Sequence, residues 1–476
     1  MGEITKDGNR MSNNFSVGSY ANSQAGVRTY IARLDGEANF AQVGLMPRGA
    51  DRKTAVVEQL IARNQQSMAG VAPALDALKA QGLITNYTVN ALANTVTYDV
   101  AEGSTAQAWK AVNAIDGVGQ IVRNRYVAQV LDAPTAGSTP VAAADAPTGI
   151  EWNVQRVNAP KVWEQGVKGA GVTIGIVDTG IDVAHPALNA KYRGTQADGS
   201  FDDNYNFFDA VNAKTHAYDD NEHGTHVSGT NVGSTATYDT GMAPDAKIIG
   251  SKILNSQGSG TLDGVMKGLA WMLAPTKSDG TGADPTMAPD IVSNSWGTND
   301  GRSTQFAGLI KSFIAAGIEP VFAAGNAGPR PGTVGAPGSD PNVISVAATD
   351  KDDKVATFSS RGPSPVKGPD GSDHKPDISA PGKDITSSIP GGGYASFSGT
   401  SMATPAVAGV LALLLSKYKD LTHDEIMKAI TTSAHDLGTP GYDYNTGAGL
   451  IDAEAALKAA DAIVAARTLQ HPLAAA

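Results

Sequence analysis

Residues 398–405 read S-G-T-S-M-A-T-P and run directly into an apolar segment at 406–415. The small residues around Ser401 leave its hydroxyl uncrowded, and the positive end of a helix dipole would face it. Such a position suits a nucleophile beside which negative charge develops. Serine is also a common N-cap, so the same residues are typical of an ordinary helix start. The apolar segment is too short to span a bilayer, and it predicts a buried central helix.

Two further stretches supply an acid and a base. An apolar, β-branched run at 172–177 ends at Asp178, and the carboxyl ends of buried strands are where open α/β sheets place their sites. The stretch E-H-G-T-H-V-S-G at 222–229 offers His223 and His226. Neutral imidazole can take the proton of a serine hydroxyl near pH 7, and a carboxylate can orient that imidazole. An acid, a base and a nucleophile are therefore present in the chain.

The blocks D-T-G at 178–180, H-G-T-H at 223–226 and G-T-S-M-A-T-P at 399–405 resemble the signatures of the subtilisin-like serine proteases, or subtilases. Their order along the chain is the subtilisin order of Asp, His and Ser. The resemblance covers roughly residues 150–460. It also rests on I-E-W-N at 150–153, N-A-P-K-V-W at 158–163, M-A-P-D-I-V-S-N-S-W-G at 287–297 and F-S-S-R-G-P-S-P at 358–365.

The resemblance implies a role for each of these residues. Ser401 would be the nucleophile, His223 the base and Asp178 the carboxylate that orients it. His226 would be a buried neighbour, and Asp182 a surface or turn carboxylate.

An oxyanion hole and a substrate site are implied in the same way. The block A-A-G-N-A-G at 323–328 would place Asn326 as the side-chain donor, and the main-chain N–H of Ser401 as the second. Without the other blocks, Asn326 would be interpreted as a turn residue, because N-A-G is typical of turns. Trp296 stands where many subtilases have a smaller apolar residue. The residues that bind substrate as an added strand, or line its first pocket, would be Ser295, Trp296, Gly297, Ala324 and Gly325.

The amino-acid composition limits which partners, cross-links and metal sites the chain can have. The formal net charge of −11 argues against a nucleic-acid partner, and the absence of cysteine excludes disulfides and thiolate sites. No cofactor is expected for catalysis. Carboxylates clustered between residues 198 and 220 could hold a structural calcium ion, as the resemblance suggests, or simply form a solvated acidic loop. They are Asp198, Asp202, Asp203, Asp209, Asp219 and Asp220.

Residues 149–462 are predicted to form an α/β catalytic domain, a doubly wound parallel sheet with helices on both faces. The alternation of short apolar runs and helical stretches carries this prediction. T-H-D-E at 422–425 predicts a capping box that opens a last helical unit, closing near Leu457. Strands are expected at 172–177, 247–254, 290–295, 319–324 and 343–348, and helices at 262–273, at 304–316 and after Ser401.

The N-terminal part divides into a disordered leader at 1–25, a domain at 26–132 and a linker with the maturation region at 133–148. The domain shows a β-α-β-β-α-β order, typical of a small ferredoxin-like α+β fold. We expect a helix at 52–81 interrupted by Pro73, a capping box at Ser104, and a last strand at 121–130. The domain looks like an inhibitor-type subtilase propeptide, although an unrelated accessory domain remains the alternative. Residues 463–476 are expected to form an unstructured tail.

These features predict a serine endopeptidase that acts through an acyl-enzyme and is made as a self-processing zymogen. Its partners would be protein and peptide substrates and its own N-terminal propeptide as inhibitor, with no membrane partner. We expect an extracellular monomer, although residues 1–14 hold no apolar core of a signal peptide. One alternative is a catalytically silent binding protein on the same scaffold, which would lack a triad or oxyanion residue. An esterase with the same nucleophile is another.

Overall fold

The structure, a computed structural model, describes residues 27–134, 140–142, 147–298 and 300–470. The predicted leader at 1–25, much of the predicted linker and the last six residues of the predicted tail lie outside the described residues.

The N-terminal domain has the predicted ferredoxin-like topology. Its elements are β1 Val27–Leu34, α1 Ala50–Ala80, β2 Asn86–Asn90, β3 Thr95–Ala101, α2 Thr105–Asn113 and β4 Val118–Arg123. The four strands form an antiparallel sheet in the order β2-β3-β1-β4. Apolar side chains from the second half of α1, among them Val71 and Leu75, pack with Tyr98 and Val112 to form a core of its own.

Two short strands follow, β5 Tyr126–Val130 and β6 Asp132–Pro134, and neither pairs with the N-terminal sheet. The prediction of one strand over 121–130 is therefore wrong. Asn124 and Arg125 belong to neither strand, and the backbone groups of β5 pair with strands of the domain that follows instead.

The strands and helices of the predicted catalytic domain are β7 Gly149–Ile150, α3 Trp152–Arg156, α4 Ala159–Trp163, β8 Thr173–Asp178, β9 Phe207–Asp209, α5 His223–Val232, β10 Tyr238–Asp239, β11 Lys247–Lys252, β12 Ser259–Thr261, α6 Leu262–Leu273, β13 Ile291–Asn294, β14 Trp296–Gly297, α7 Ala307–Ala316, β15 Glu319–Ala323, β16 Ile344–Thr349, β17 Ile378–Pro381, β18 Ile385–Ile389, β19 Gly393–Gly399, α8 Thr400–Lys417, α9 His423–Thr432 and α10 Ala453–Gln470. The domain is built on a seven-stranded sheet in the order β17-β16-β15-β13-β8-β11-β9, and every pairing in this sheet is parallel.

The predicted α/β fold is confirmed, and α8 is its buried central helix. All its residues from Thr400 to Leu415 are buried, because sheet strands and neighbouring helices surround it. Among the described helices, only α8 is long and apolar enough to cross a membrane, and 89% of that window is buried inside the protein.

Local predictions had mixed outcomes. Thr422 and Glu425 form the predicted capping box. Ser104 makes no capping hydrogen bond through its side chain, because a 3₁₀ turn precedes the helix there. Helix α1 continues through Pro73, since buried residues on both sides of the proline hold the helix in place. Helix α10 extends to Gln470, so the prediction of an unstructured tail from residue 463 is wrong for 463–470, because Ile463 and Val464 pack against the core.

Candidate active site

The acid and the base meet at the carboxyl end of the sheet. Asp178 is the last residue of β8 and His223 the first of α5, and His223 Nδ1 lies 2.7 Å from Asp178 Oδ1. Burial raises the pKa of Asp178, and this is opposed by His223 and by the N–H of Thr179. A buried carboxylate against one ring nitrogen fixes the orientation of the imidazole.

Glycine makes this approach possible. A Cβ on Gly224 would lie 2.0 Å from the carbonyl oxygen of Gly180, and Gly180 itself has a φ of +121°. A side chain at Gly224 would push α5 away from the turn after β8, and one at Gly180 would lie 1.9 Å from the carbonyl oxygen of Tyr218. The glycine in H-G-T-H therefore has a packing role that the sequence alone does not reveal.

Ser401 lies in the first turn of α8, as predicted. Its Oγ donates to the carbonyl oxygen of Ser295 at 2.8 Å, and Ser295 Oγ donates to the carbonyl oxygen of Ser401 at 2.8 Å. These reciprocal bonds join the mouth of α8 to the segment that follows β13. Ser401 is 0% exposed and His223 is 2% exposed, so the site is closed to solvent.

The side chain of Asn326 contacts the chain that crosses the cleft. Its Nδ2 donates to the carbonyl oxygen of Leu131. Its Oδ1 accepts from the N–H of Thr400 at 3.0 Å and from Thr400 Oγ1 at 2.9 Å. Thr400 therefore orients the amide, a role that the sequence analysis missed, although it is adjacent to the proposed nucleophile.

Residues 126–134 lie extended across the catalytic domain. β5 pairs antiparallel with β12 on one side and with β14 on the other, where Trp296 is opposite Val130. β6 pairs antiparallel with β19, immediately before α8. Strand pairing on both sides of Leu131 is the arrangement of a peptide bound as an added strand.

The residues predicted to bind substrate lie in different places around Leu131 and Asn326. Gly297 faces Leu131, because a Cβ there would lie 3.0 Å from Leu131 Cδ1. Gly325 donates its N–H to Thr400 Oγ1 at 3.3 Å, next to the proposed oxyanion donor, and Ala324 precedes it in a buried position. Trp296 pairs with β5 through its backbone, and its side chain takes no part in that pairing.

The indole of Trp296 packs edge-on against Phe306 and Phe322, each with ring centroids 5.5 Å away. This ring therefore belongs to the core beneath the cleft.

His226 and Asp182 lie in structural contacts, as the sequence analysis interpreted them. His226 Nε2 lies 3.1 Å and 3.0 Å from the carbonyl oxygens of Ile385 and Ala395, and its ring stacks on Phe397. Asp182 accepts hydrogen bonds from main-chain N–H groups in two turns.

Asp219, which the sequence analysis named only as one of six possible calcium ligands, supports the site instead. Its carboxylate accepts from Thr179 Oγ1 at 2.9 Å, and from the N–H and Oγ1 of Thr225 at 2.9 and 2.7 Å. It thus joins the turn after Asp178 to the helix that carries His223. The acidic run around Asp219 does not predict this role, because the neighbouring aspartates contact other parts of the protein.

The acidic stretch does not converge on one point. Among the described residues, no group of three or more His, Cys, Asp or Glu side chains is arranged to hold a metal ion. Asp209 accepts from loop N–H groups, and Asp220 pairs with Lys252 Nζ at 2.5 Å. These two carboxylates bind loop N–H groups and a lysine, and a structural calcium ion in this stretch stays a prediction.

A buried Asp–His pair, a serine at a helix mouth and a side-chain amide at the carboxyl end of a parallel sheet are the groups that acyl transfer through a serine nucleophile requires. The Subtilase family model matches residues 169–449, which is more than half of the chain. The chain belongs to the subtilase family, that of the subtilisin-like serine proteases.

Three relatives from Bacillus subtilis show the extent of the similarity. Bacillopeptidase F is 39% identical over 332 residues, a match that covers 67% of this chain but only 22% of that protein. Serine protease AprX is 38% identical over 319 residues, covering 61% of this chain and 67% of AprX. Subtilisin E is 32% identical over 311 residues, covering 64% of this chain and 71% of subtilisin E.

Proposed function

We propose that this chain is a serine endopeptidase made as a self-processing zymogen, and that the peptide bond between Leu131 and Asp132 is the one it cleaves in itself. The hydrogen bond from Asn326 Nδ2 to the carbonyl oxygen of Leu131 carries this proposal. A donor aimed at one carbonyl oxygen, beside the serine helix, marks that carbonyl as the one to be attacked.

The chain on both sides of this bond supports the assignment. Val130 donates its N–H to the carbonyl oxygen of Gly258 at 2.9 Å and pairs with Trp296. Beyond the bond, Asp132 pairs with Gly399, two residues before the nucleophile. Held in this way, the peptide cannot slide along the cleft, and the reacting carbonyl is positioned before attack.

In the proposed reaction, Ser401 Oγ attacks the carbonyl carbon of Leu131 while His223 takes the hydroxyl proton. Asn326 Nδ2 and the main-chain N–H of Ser401 donate to the oxyanion, and Asp178 stabilises the imidazolium. Collapse breaks the bond to the nitrogen of Asp132, which receives the proton from His223. Water then hydrolyses the acyl ester on Ser401, with His223 again acting first as base and then as acid.

The same contacts indicate a substrate preference. The side chain of Leu131 faces Gly297, and Val130 packs over Gly258, where a Cβ would lie 2.7 Å from Val130 Cγ2. We therefore expect protein and peptide substrates with leucine or a similar apolar residue before the cleaved bond, and a β-branched residue before that.

The remaining features of the proposal concern the state of the protein. The N-terminal domain would act as a tethered inhibitor, because its exit strand fills the cleft at the high effective concentration of an intramolecular ligand. An enzyme kept latent in this way suits release outside the cell, and we propose an extracellular monomer. A catalytically silent binding protein is not favoured, since the acid, base, nucleophile and side-chain donor are all present.

Intact-mass measurement of the purified chain tests the proposal. We expect a fragment that ends at Leu131 and a second that begins at Asp132, whereas Ser401→Ala should remain full length. Ser416→Ala is the matched control, because it removes a hydroxyl from the other end of the same helix. Cleavage of the Ser401→Ala protein at the same bond would contradict the proposal, and cleavage of the unmodified chain at another bond would exclude Leu131–Asp132.

A further inference from the structure

The N-terminal domain has a second contact with the catalytic domain, formed by Arg48 just before α1. Its Nη1 donates to Glu319 Oε1 at 2.7 Å and to the carbonyl oxygen of Leu421 at 2.9 Å. Its Nη2 donates to the carbonyl oxygen of Gly317. The side chains of Arg48 and Glu319 are only 8% and 1% exposed, so both charges are buried at the interface.

The catalytic domain supplies every acceptor in this contact. Gly317 follows the last residue of α7, where carbonyl groups have no partner within the helix and carry the negative end of its dipole. Gly317 also leaves room for the arginine, since a Cβ there would lie 3.1 Å from Arg48 Cγ. A planar guanidinium with five donors fits one carboxylate and several carbonyl oxygens better than an ammonium group does.

Neighbouring residues extend the contact along the first turn of α1. Arg52 Nε donates to the carbonyl oxygen of Ala315 at 2.6 Å, and Lys53 Nζ to that of Ala288 at 2.8 Å. Val56 and Leu60 of α1 share an apolar cluster with residues of α6 and α7. The first half of α1 therefore packs on the catalytic domain, and its second half packs on its own domain.

Glu319 has a further partner from the catalytic domain, His423, whose Nδ1 lies 2.6 Å from Glu319 Oε2. Although burial opposes its charge, His423 and Arg48 lower the pKa of Glu319 to about 2, so this carboxylate stays charged. Losing Arg48 would leave a buried carboxylate with one partner fewer. The contact between the two domains thus contains a buried carboxylate, Glu319, that is paired with Arg48.

We propose that Glu319, Gly317 and Leu421 form a guanidinium-binding socket that holds the N-terminal domain on the catalytic domain independently of the cleft. The proposal rests on the self-processing function above. Arg48, whose contacts lie outside the cleft, is then a determinant of how long the cleaved N-terminal domain stays bound.

The first test uses the uncleaved protein and needs no catalysis. In the full-length Ser401→Ala chain, hydrogen exchange is measured over residues 43–57 with and without Arg48→Gln. Arg63→Gln is the matched control, because Arg63 lies on α1, the helix that follows Arg48, and donates to Leu92 within its own domain. Arg48→Gln should speed exchange in this segment by about tenfold or more, as expected for a lost charge-assisted contact, and Arg63→Gln should not.

The second test uses the active chain. After self-cleavage, the half-life of the complex between the two fragments is measured by size exclusion with intact mass. It should fall about tenfold or more in Arg48→Gln, with cleavage itself unchanged. In a Glu319→Gln background, Arg48→Gln should add little, because residues that share one contact are not additive.

The outcomes separate the two proposals. If Arg48→Gln matches Arg63→Gln in exchange and in half-life, the socket is not an anchor. If the unmodified chain never cleaves itself, the self-processing function fails, whereas the exchange test still decides the socket. If Arg48→Gln does not fold, Arg48→Lys replaces it. This variant keeps the charge without the planar fork, so its exchange should be intermediate, and exchange equal to that of Arg63→Gln would overturn the proposal.

Discussion

Replacement of Asn326 by leucine tests the chemistry of the site most directly. The change removes the Nδ2 donor to the carbonyl oxygen of Leu131 and the Oδ1 acceptor of two bonds from Thr400. The first loss acts on the charge that develops in the transition state. The second leaves a buried N–H and a hydroxyl without their acceptor, which lowers folding stability by about 1–3 kcal/mol per group. The two losses can therefore be measured separately.

The expected magnitude comes from the corresponding asparagine of subtilisin, whose removal lowers kcat by about two to three powers of ten, or about 2.7–4 kcal/mol. The same loss is expected here, because Nδ2 already donates to the carbonyl that would become the oxyanion. Thr400→Val is a graded comparison. It removes one of the two bonds that orient the amide, so a loss of about fivefold to tenfold is expected.

Self-cleavage provides the assay, because it is unimolecular and its rate constant needs no substrate concentration. Intact mass gives the rate at which the Leu131–Asp132 bond breaks, and thermal unfolding gives the change in stability. Turnover of a leucine-containing peptide by processed enzyme gives kcat and KM separately. A rise in KM with kcat unchanged would refute the reasoning, since Asn326 would then contribute only to binding.

Three further predictions follow from other contacts. Peptide turnover should rise between about pH 5 and pH 8, because His223 must be neutral to accept a proton; a flat profile would contradict its role as base. Gly224→Ala should unfold at lower temperature and lose activity, because its Cβ would lie 2.0 Å from a main-chain oxygen, whereas Gly308→Ala, with open space around it, should do neither. Although burial lowers the pKa of His423, Glu319 outweighs it and raises that pKa above 6.5. The ion pair between His423 and Glu319 therefore stabilises the fold fully below about pH 6.5, and this stabilisation is lost as the pH rises through the raised pKa. The Tm deficit of His423→Gln should shrink over that interval.

The sequence by itself was enough to predict the α/β subtilase domain and to propose its reactive residues. Asp178, His223 and Ser401 are separated by many residues, yet each lies at the end of a strand or the start of a helix whose pattern is local. Because parallel α/β sheets bring the carboxyl ends of their strands to one edge, local patterns that mark those ends also predict the site. The Asp178–His223 contact and the position of Ser401 in the first turn of α8 agree with that expectation.

Only the tertiary structure decided what crosses the cleft and what holds the N-terminal domain in place. β5 separates from β4, Leu131 contacts Asn326, and Arg48 is buried against Glu319. Each of these features depends on contacts between residues from different domains. Backbone pairing between strands leaves little trace in side-chain pattern, because main-chain N–H and C=O groups are common to nearly all residues. An arginine before a helix is typical of a solvated surface until the chain folds and brings a buried carboxylate to it, because a charge can be buried only beside a partner.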